Sequence, residues 1–238
     1  MQALFRPAVL AVVLLLAATA CGPAARADAF TPAQRAEIVR IVRQALRQDP
    51  TILEDAIAAV QADAAKRQAA TMVQPGDPVA GNPKGAVTIV EFFDVRCPYC
   101  RQMNPVVAAL LRRDRDVRLV YKDLAILGPA SVLASRALLA ARRQGGYLKL
   151  RDALMAGPPD ITNATIHAAA VATGMDWARL QRDMTDPAIA RRLDANLKLA
   201  QALGIDGTPA FMVGHNLIPG AVDLTELEKA VTAVRPGH

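Results

Sequence analysis

Two cysteines lie two residues apart in the stretch CPYC, as Cys97 and Cys100. Thiols at this spacing can bind a metal ion, form a structural disulfide, or exchange electrons with the thiols and disulfides of other molecules. An apolar run, residues 86–93, precedes the pair, and Pro98 directly follows its first member. These neighbours place the pair where a buried strand ends and a helix begins.

A metal site or a structural disulfide has weak support in the sequence. A structural zinc ion takes four ligands, and His167, His215 and His238 do not have the spacing of a ligand pair. A Cu(I) ion can be held by two thiolates, so a non-enzymatic copper-binding protein is the alternative to keep. A disulfide between Cys97 and Cys100 would close a four-residue loop, which constrains the unfolded chain little.

Thiol–disulfide exchange agrees better with the position of the pair. The attacking sulfur must be a thiolate, which the free N–H groups and dipole of a helix N-terminus favour. The sequence places Cys97 at such a terminus, with Arg96 and Arg101 as cationic neighbours. Cys100 follows one helical turn later and can resolve a mixed disulfide. The pattern therefore predicts Cys97 as the attacking thiol and Cys100 as the resolving thiol.

The N-terminus has the pattern of a secretory signal peptide. Arg6 precedes an apolar stretch that is too short to span a membrane comfortably, and two overlapping A-x-A sites follow it. We expect removal of residues 1–27 and a periplasmic location. Lipid anchoring at Cys21 is an alternative, because the residues before it loosely resemble a lipobox. Cleavage leaves only the CPYC cysteines, and one close pair does not make a disulfide-stapled scaffold.

Composition and charge exclude some classes of function. The 238 residues are enough for one well-cored domain and an appendage. The formal net charge is +6, but the arginines lie among acids along helical stretches. No basic run is interleaved with aromatic residues, so we expect no nucleic-acid partner.

Two helices are predicted before the main domain, within residues 28–70. The first begins with a capping box at Thr31 and Gln34, and Asp49-Pro50 separates it from the second. Large apolar residues repeat at helical spacing on both; they are Ile38, Ile41, Val42, Leu46, Ile52, Leu53, Ile57 and Val60. Burying each is worth roughly 1.5–3 kcal/mol. We therefore expect a homo-oligomer formed through residues 30–70, with docking on the parent domain as the alternative.

The main domain is predicted to cover residues 86–238, after a linker at residues 71–85 that contains three prolines and three glycines. Its pattern is β-α-β, a helical block at about residues 123–206, and then β-β-α. Pro105 should kink the first helix. The predicted strands and final helix of this domain are residues 86–93, 117–121, 210–213, a short strand after residue 215, and 224–234.

These motifs together resemble the DsbA-like thiol–disulfide oxidoreductases of the thioredoxin superfamily. The shared features are the apolar strand before CPYC, Glu91 six residues before Cys97, Pro105 five residues after Cys100, and Gly207-Thr208-Pro209 before an apolar strand. The resemblance implies an α/β thioredoxin fold with an inserted helical subdomain and an N-terminal helical extension. CPYC also occurs in glutaredoxins, but the leader and the large insertion do not fit that family.

Within this family the sequence is most similar to the ScsC-type (suppressor of copper sensitivity) branch. The similarity lies in CPYC combined with Thr208 before the proline, and in the extension DPTILEDAI. The resemblance implies a redox-active disulfide Cys97–Cys100 without another cofactor. It also implies partners of two kinds, unfolded or misoxidised exported proteins and a DsbB- or DsbD-like membrane redox protein. The implied activity is disulfide isomerisation or oxidation.

The resemblance also implies roles for residues around the cysteines. It implies that Glu91 is a buried proton acceptor for the resolving cysteine, Cys100. The alternative is that Glu91 is an ordinary strand residue whose side chain faces solvent. The Thr208–Pro209 bond is expected to be cis and to hold the backbone of an extended substrate. Pro98 and Tyr99, between the two cysteines, are expected to contact substrate as well.

Overall fold

The computed structural model describes residues 30–235, without the side chains at position 58 and positions 61–70. The predicted signal peptide, Cys21 and His238 lie outside the described residues. The chain divides into two compact units between Ile52 and Leu53.

The first unit contains helix α1, Pro32–Gln48. Its N-terminus is the predicted capping box, in which the Gln34 backbone N–H donates to Thr31 Oγ1 at 3.3 Å and the Thr31 N–H donates to Gln34 Oε1 at 2.8 Å. Helix α2, Thr51–Met72, follows Asp49-Pro50, so residues 61–70 continue the helix.

The apolar stripes predicted on these two helices are largely exposed. Of their eight residues, Leu46 is half-buried and the other seven are exposed, from 41% at Ile38 to 67% at Val60. Helix α1 buries none of its residues. The stripes therefore still present the apolar surface that their sequence pattern predicts should be covered.

The second unit is built on a five-stranded sheet with the strand order β1-β3-β2-β4-β5. The strands are β1 Val79–Gly81, β2 Val87–Phe93, β3 Val117–Asp123, β4 Ala210–Val213 and β5 Asn216–Pro219. Strands β2 and β3 are parallel, and the other neighbours are antiparallel. The central strand β2 is buried on both faces, which is why its sequence is almost continuously apolar.

The segment expected to be a linker, residues 71–85, is part of this unit. It contains β1, in which Val79 pairs with Val120 at the edge of β3. Asp77 forms ion pairs with the buried Lys122 at 2.7 Å and with Arg192 at 2.8 Å. The prolines and glycines of this segment predicted a linker. The segment is instead held by its ion pairs with Lys122 and Arg192 and by the pairing of β1 with β3.

The helices of the second unit lie on both faces of the sheet. Helix α3, Pro98–Arg113, follows β2 and packs against α9, Leu224–Ala233. The helical insertion consists of α4 Pro129–Arg142, α5 Tyr147–Ala156, α6 Asn163–Ala172, α7 Trp177–Met184 and α8 Pro187–Ala202. Pro105 lies inside α3, which continues through it. None of the helices among the described residues combines the length and apolar character that a membrane span requires.

The side chains of β2 alternate between two hydrophobic cores. Ile89 and Phe93 belong to the larger core, which includes residues of α3 and the insertion. Val90 and Phe92 belong to a smaller core with residues of α8, β4 and the end of α2. Because strand side chains alternate with a period of two, Glu91 points into the larger core, toward the helix that carries the cysteines.

Candidate active site

Cys97 is the N-cap residue of α3, and Pro98 takes the first helical position as predicted. The side chain is largely covered, with 4% of the residue exposed. Its Sγ donates a hydrogen bond to the carbonyl oxygen of Thr208 at 3.1 Å. Pro98 and Tyr99 are exposed beside it, so both are available for contact with another molecule. Of the two cysteines, Cys97 is therefore the one whose thiol contacts the loop that contains Thr208.

Cys100 lies one turn further along α3 and is completely buried. Burial raises the pKa of its thiol well above the ordinary value, and the negative charges of Cys97 and Glu91 raise it further. Both cysteines are free thiols in the structure. A thiol whose pKa is raised in this way needs a proton acceptor before its sulfur can act as a nucleophile.

The Thr208–Pro209 peptide bond is cis, as the resemblance implied. Pro209 precedes β4, and β4 pairs with β2 so that Ala210 lies opposite Phe92. This register brings the loop to the end of β2 where the cysteine helix begins. Thr208 is half-buried, and its carbonyl oxygen lies next to Cys97.

Glu91 is fully buried, which confirms the burial that the family resemblance implied. Among the described residues, neither carboxylate oxygen has a hydrogen-bond partner. Burial raises the pKa of Glu91 to about 7, and the positive charge of Arg151 limits the rise. A carboxyl group with this pKa can both accept and release a proton near neutral pH.

Asp94, which the sequence analysis did not single out, organises the loops around the cysteines. Its Oδ1 accepts from the backbone N–H of Arg96 at 2.8 Å. Its Oδ2 accepts from the N–H groups of Ile126 and Leu127 at 3.1 and 3.2 Å. A sequence signal for this role exists, because an Asp side chain commonly accepts a hydrogen bond from the backbone N–H two residues later in a turn. Here that N–H belongs to Arg96.

The two predicted cationic neighbours of Cys97 bind backbone carbonyls. Arg96 donates to the carbonyl of Leu127. Arg101 donates through Nε to the carbonyl of Val95 at 3.1 Å, and through Nη1 to those of Met155 and Gly157 at 2.9 and 2.8 Å. Arg101 therefore joins the cysteine helix to the end of α5, a structural role that its sequence position alone did not indicate.

The structure also shows where the candidate metal ligands lie. His167 is on α6, and His215 lies between β4 and β5. Throughout the described part of the chain, no group of three or more His, Cys, Asp or Glu side chains is placed to hold a metal ion.

Comparisons with known proteins agree with this geometry. Residues 88–232 match the family model of the DSBA-like thioredoxin domain, and residues 34–67 match that of the copper resistance protein ScsC N-terminal domain. The chain also matches curated Na⁺/H⁺ antiporter NhaA proteins, with 30% identity to one from Salinispora arenicola over 68% of this chain. It spans about a quarter of the length of those relatives.

Three solved structures are similar over most of their own length. A thioredoxin-like oxidoreductase from Silicibacter pomeroyi is 42% identical with a TM-score of 0.68, over 70% of this chain and 96% of that one. ScsC from Proteus mirabilis is 31% identical with a TM-score of 0.63, over 86% and 96%. A periplasmic thioredoxin-like protein from Salmonella enterica is 32% identical with a TM-score of 0.62, over 69% and 93%. The chain therefore belongs to the DSBA-like thioredoxin domain family, with an N-terminal segment of the ScsC type.

Proposed function

We propose that this chain catalyses thiol–disulfide exchange on the cysteines of exported proteins, with Cys97 and Cys100 as the redox centre. The observation that carries the proposal is the hydrogen bond from Cys97 Sγ to the Thr208 carbonyl. It sets the thiol beside the backbone of a cis-proline loop, where an extended peptide can pair. A substrate cysteine held in this way lies next to the sulfur that it exchanges with.

Oxidation of a substrate starts from the Cys97–Cys100 disulfide. A substrate thiolate attacks the Cys97 sulfur, the bond between the two protein sulfurs breaks, and Cys100 leaves as a thiolate that takes a proton. A second substrate thiolate then attacks the substrate sulfur of the mixed disulfide and releases the Cys97 thiolate. The substrate gains one disulfide, and the protein holds two thiols.

Rearrangement of a wrong disulfide starts from the two thiols. The Cys97 thiolate attacks the substrate disulfide and forms a mixed disulfide, which releases one substrate thiolate. Another substrate thiolate can attack and free Cys97 with no net redox change. Alternatively, Cys100 gives its proton to Glu91 and attacks Cys97, which leaves the substrate reduced and the protein oxidised.

We place this activity in the periplasm and expect no cofactor other than the cysteine pair. The predicted leader supports the location, and so does the similarity to a periplasmic thioredoxin-like protein. A DsbB-like membrane partner would restore the disulfide for oxidation, whereas a DsbD-like partner would keep the thiols reduced for rearrangement. Which partner acts depends on the reduction potential of the pair.

The proposal is tested by two assays on the full mature chain. One measures disulfide formation in a reduced two-cysteine peptide, and the other measures recovery of native pairing in a protein with scrambled disulfides. Both activities should be present in the wild type and absent in Cys97→Ser. The copper-binding alternative predicts no turnover in either assay and an equal loss of bound Cu(I) in Cys97→Ser and Cys100→Ser.

A further inference from the structure

Arg151 is a fully buried cation in the helical insertion, beside the redox centre. It lies on α5 and is 1% exposed. A charged guanidinium in a core costs much free energy unless nearby groups compensate it. The observed partners are the Asn104 and Asp152 side chains, to which Nη1 donates at 2.7 and 2.8 Å. The guanidinium carbon also lies 4.1 Å from the centre of the Tyr121 ring.

The same guanidinium faces Glu91 but forms no hydrogen bond with it. Nη2 lies 3.9 Å from Glu91 Oε2, which is within ion-pair range but longer than a hydrogen bond. Within the described residues, Arg151 Nε and Nη2 have no hydrogen-bond partner, and neither has either oxygen of Glu91. The two charges are therefore held close without being locked together, which leaves the carboxylate free to take up a proton.

Asn104 ties this arginine to the cysteine helix. It lies on α3 four residues after Cys100, so the two share one helical face. Its Oδ1 accepts the hydrogen bond from Arg151 Nη1. One helix thus carries both the resolving thiol and the residue that orients the guanidinium toward the carboxylate.

We propose that Arg151 is a positioning residue whose nearby charge keeps Glu91 ionised, so that the carboxylate can receive the Cys100 proton. This inference rests on the proposed exchange reaction. In the resolving step, the Cys100 S–H proton passes to the Glu91 carboxylate, and the Cys100 thiolate attacks the Cys97 sulfur of the mixed disulfide. The bond between Cys97 and the substrate breaks, and the substrate leaves as a thiolate. The helical insertion therefore contributes a charge to the redox chemistry of the thioredoxin core.

The sign of the effect follows from the two opposing influences on Glu91. Burial raises its pKa to about 7, and Arg151 lowers it. Without the cation, burial acts alone, so the pKa of Glu91 rises and less carboxylate is present at neutral pH. The step that needs the carboxylate then moves to higher pH.

The surrounding groups determine which controls are needed. Among the described residues, Cys100 of α3, Tyr121 of β3 and Arg151 of α5 interact electrostatically with Glu91. Strand β4 places the uncharged Phe211 opposite it. Arg151 is also coupled to Tyr147 and Asp152 of its own helix, and to Asp123 of β3. Asp123→Asn therefore serves as a control for the second buried acid.

The experiment measures substrate release from a mixed disulfide preformed on Cys97, in a single turnover, from pH 5 to pH 9. In the wild type, the rate should rise with pH through a midpoint near 7, the pKa of Glu91. Arg151→Met keeps a long buried side chain without charge, and its midpoint should rise by one unit or more. At pH 6 this corresponds to a rate about tenfold lower. Arg151→Lys should restore most of the wild-type profile.

A double variant separates this role from a merely structural one. Glu91→Gln should lack the midpoint near 7, and Arg151→Met should then change the rate by less than about twofold in that background, because the group it acts on is gone. Lys122→Met is the matched control, since it removes another fully buried cation, one paired with Asp77. It should lower stability and leave the midpoint unchanged.

Three results would overturn the inference. They are a wild-type midpoint in Arg151→Met, an equal slowing by Arg151→Met with and without Glu91, and a shift of the same size in Lys122→Met. If Arg151→Met does not fold, Asn104→Ala decides instead, because it removes only the hydrogen bond that orients the guanidinium. Its midpoint should rise by less than one unit, and an unchanged midpoint contradicts the proposal. A wild type that forms no mixed disulfide at Cys97 would refute the proposed function itself.

Discussion

Two buried acids of the central sheet, Glu91 on β2 and Asp123 on β3, differ in the partners that hold them. Glu91 and Asp123 are both almost fully buried, and burial raises the pKa of each to about 7. Asp123 accepts a hydrogen bond from the Tyr147 hydroxyl at 2.9 Å, whereas Glu91 has no hydrogen-bond partner among the described residues and faces the Arg151 guanidinium at 3.9 Å. Asp123 is thus held by a fixed partner, and Glu91 is the acid that stays free to exchange a proton.

Asp123→Asn should make stability less dependent on pH. The pKa of Asp123 is raised from 3.8 to about 7 on folding, so the folded state binds its proton more tightly than the unfolded state. The resulting stabilisation is fully present below pH 3.8 and is lost as the pH rises through 7. The wild type should therefore be more stable at pH 5 than at pH 8, and Asp123→Asn should reduce that difference by on the order of 1–3 kcal/mol. Urea unfolding at both pH values measures this, and an unchanged difference would show that Asp123 stays ionised in the fold.

At the scale of elements, the sequence predicts best what depends on local pattern. The apolar run of β2, the helix start at Pro98 and the capping box at Thr31 are all confirmed. The cis bond before Pro209 came from the family resemblance.

Contacts between distant parts of the chain were not predictable in this way. Strand β1 forms because Val79 pairs with Val120 at the open edge of β3, about forty residues later in the sequence. Arg151 lies on the insertion and comes within 3.9 Å of Glu91. No periodicity or motif in the sequence indicates that this arginine is buried in the folded protein. The sequence therefore predicted the site residues near CPYC and in the proline loop. It did not predict Arg151, the charged residue that the insertion places beside Glu91.

Arg101→Met should weaken the junction between the cysteine helix and the insertion. The guanidinium donates to four carbonyls, three of which belong to Met155, Gly157 and Pro158 at and just after the end of α5. Hydrogen bonds to a charged group are worth about 1.5–3 kcal/mol each, but the freed carbonyls can bind water, so we expect a net loss of about 2 kcal/mol. Arg112→Met, on the exposed face of the same helix, should change stability by less than about 0.5 kcal/mol. Equal effects of the two variants in urea unfolding would contradict the role assigned to Arg101.

At the scale of the whole molecule, the exposed stripes on α1 and α2 are the feature that most needs a partner. Seven large aliphatic residues remain in water in a single copy of the chain, three of which are Ile41, Val42 and Leu53. A second or third copy offers the same apolar surface, so we propose that residues 30–70 join copies into a homo-oligomer. Several Cys97 sites would then lie near one substrate and raise the effective concentration for a second attack. That arrangement favours rearrangement of disulfides over simple oxidation.

Ile41→Glu combined with Val42→Glu should convert the oligomer into monomers. Both side chains are about half exposed on α1, so the substitutions place charge in the proposed contact without disturbing a core. Light scattering at tens of micromolar should show the wild type as a dimer or trimer and the double variant as a monomer. The monomer should still oxidise thiols but rearrange scrambled disulfides poorly. Arg43→Gln, on the same helix, is the control that should leave the assembly unchanged, and a monomeric wild type would contradict the proposal.

The central claim is that Cys97 exchanges with substrate and Cys100 resolves, and trapping tests it most directly. Cys100→Ser removes the resolving thiol and leaves the Cys97 contact with Thr208 in place. When this variant is mixed with a protein that contains scrambled disulfides, non-reducing mass spectrometry should find mixed disulfides at Cys97. Cys97→Ser should accumulate almost none, because Cys100 is fully buried and burial raises the pKa of its thiol. Mixed disulfides on Cys100 in the Cys97→Ser variant, at the same yield and rate, would contradict the account.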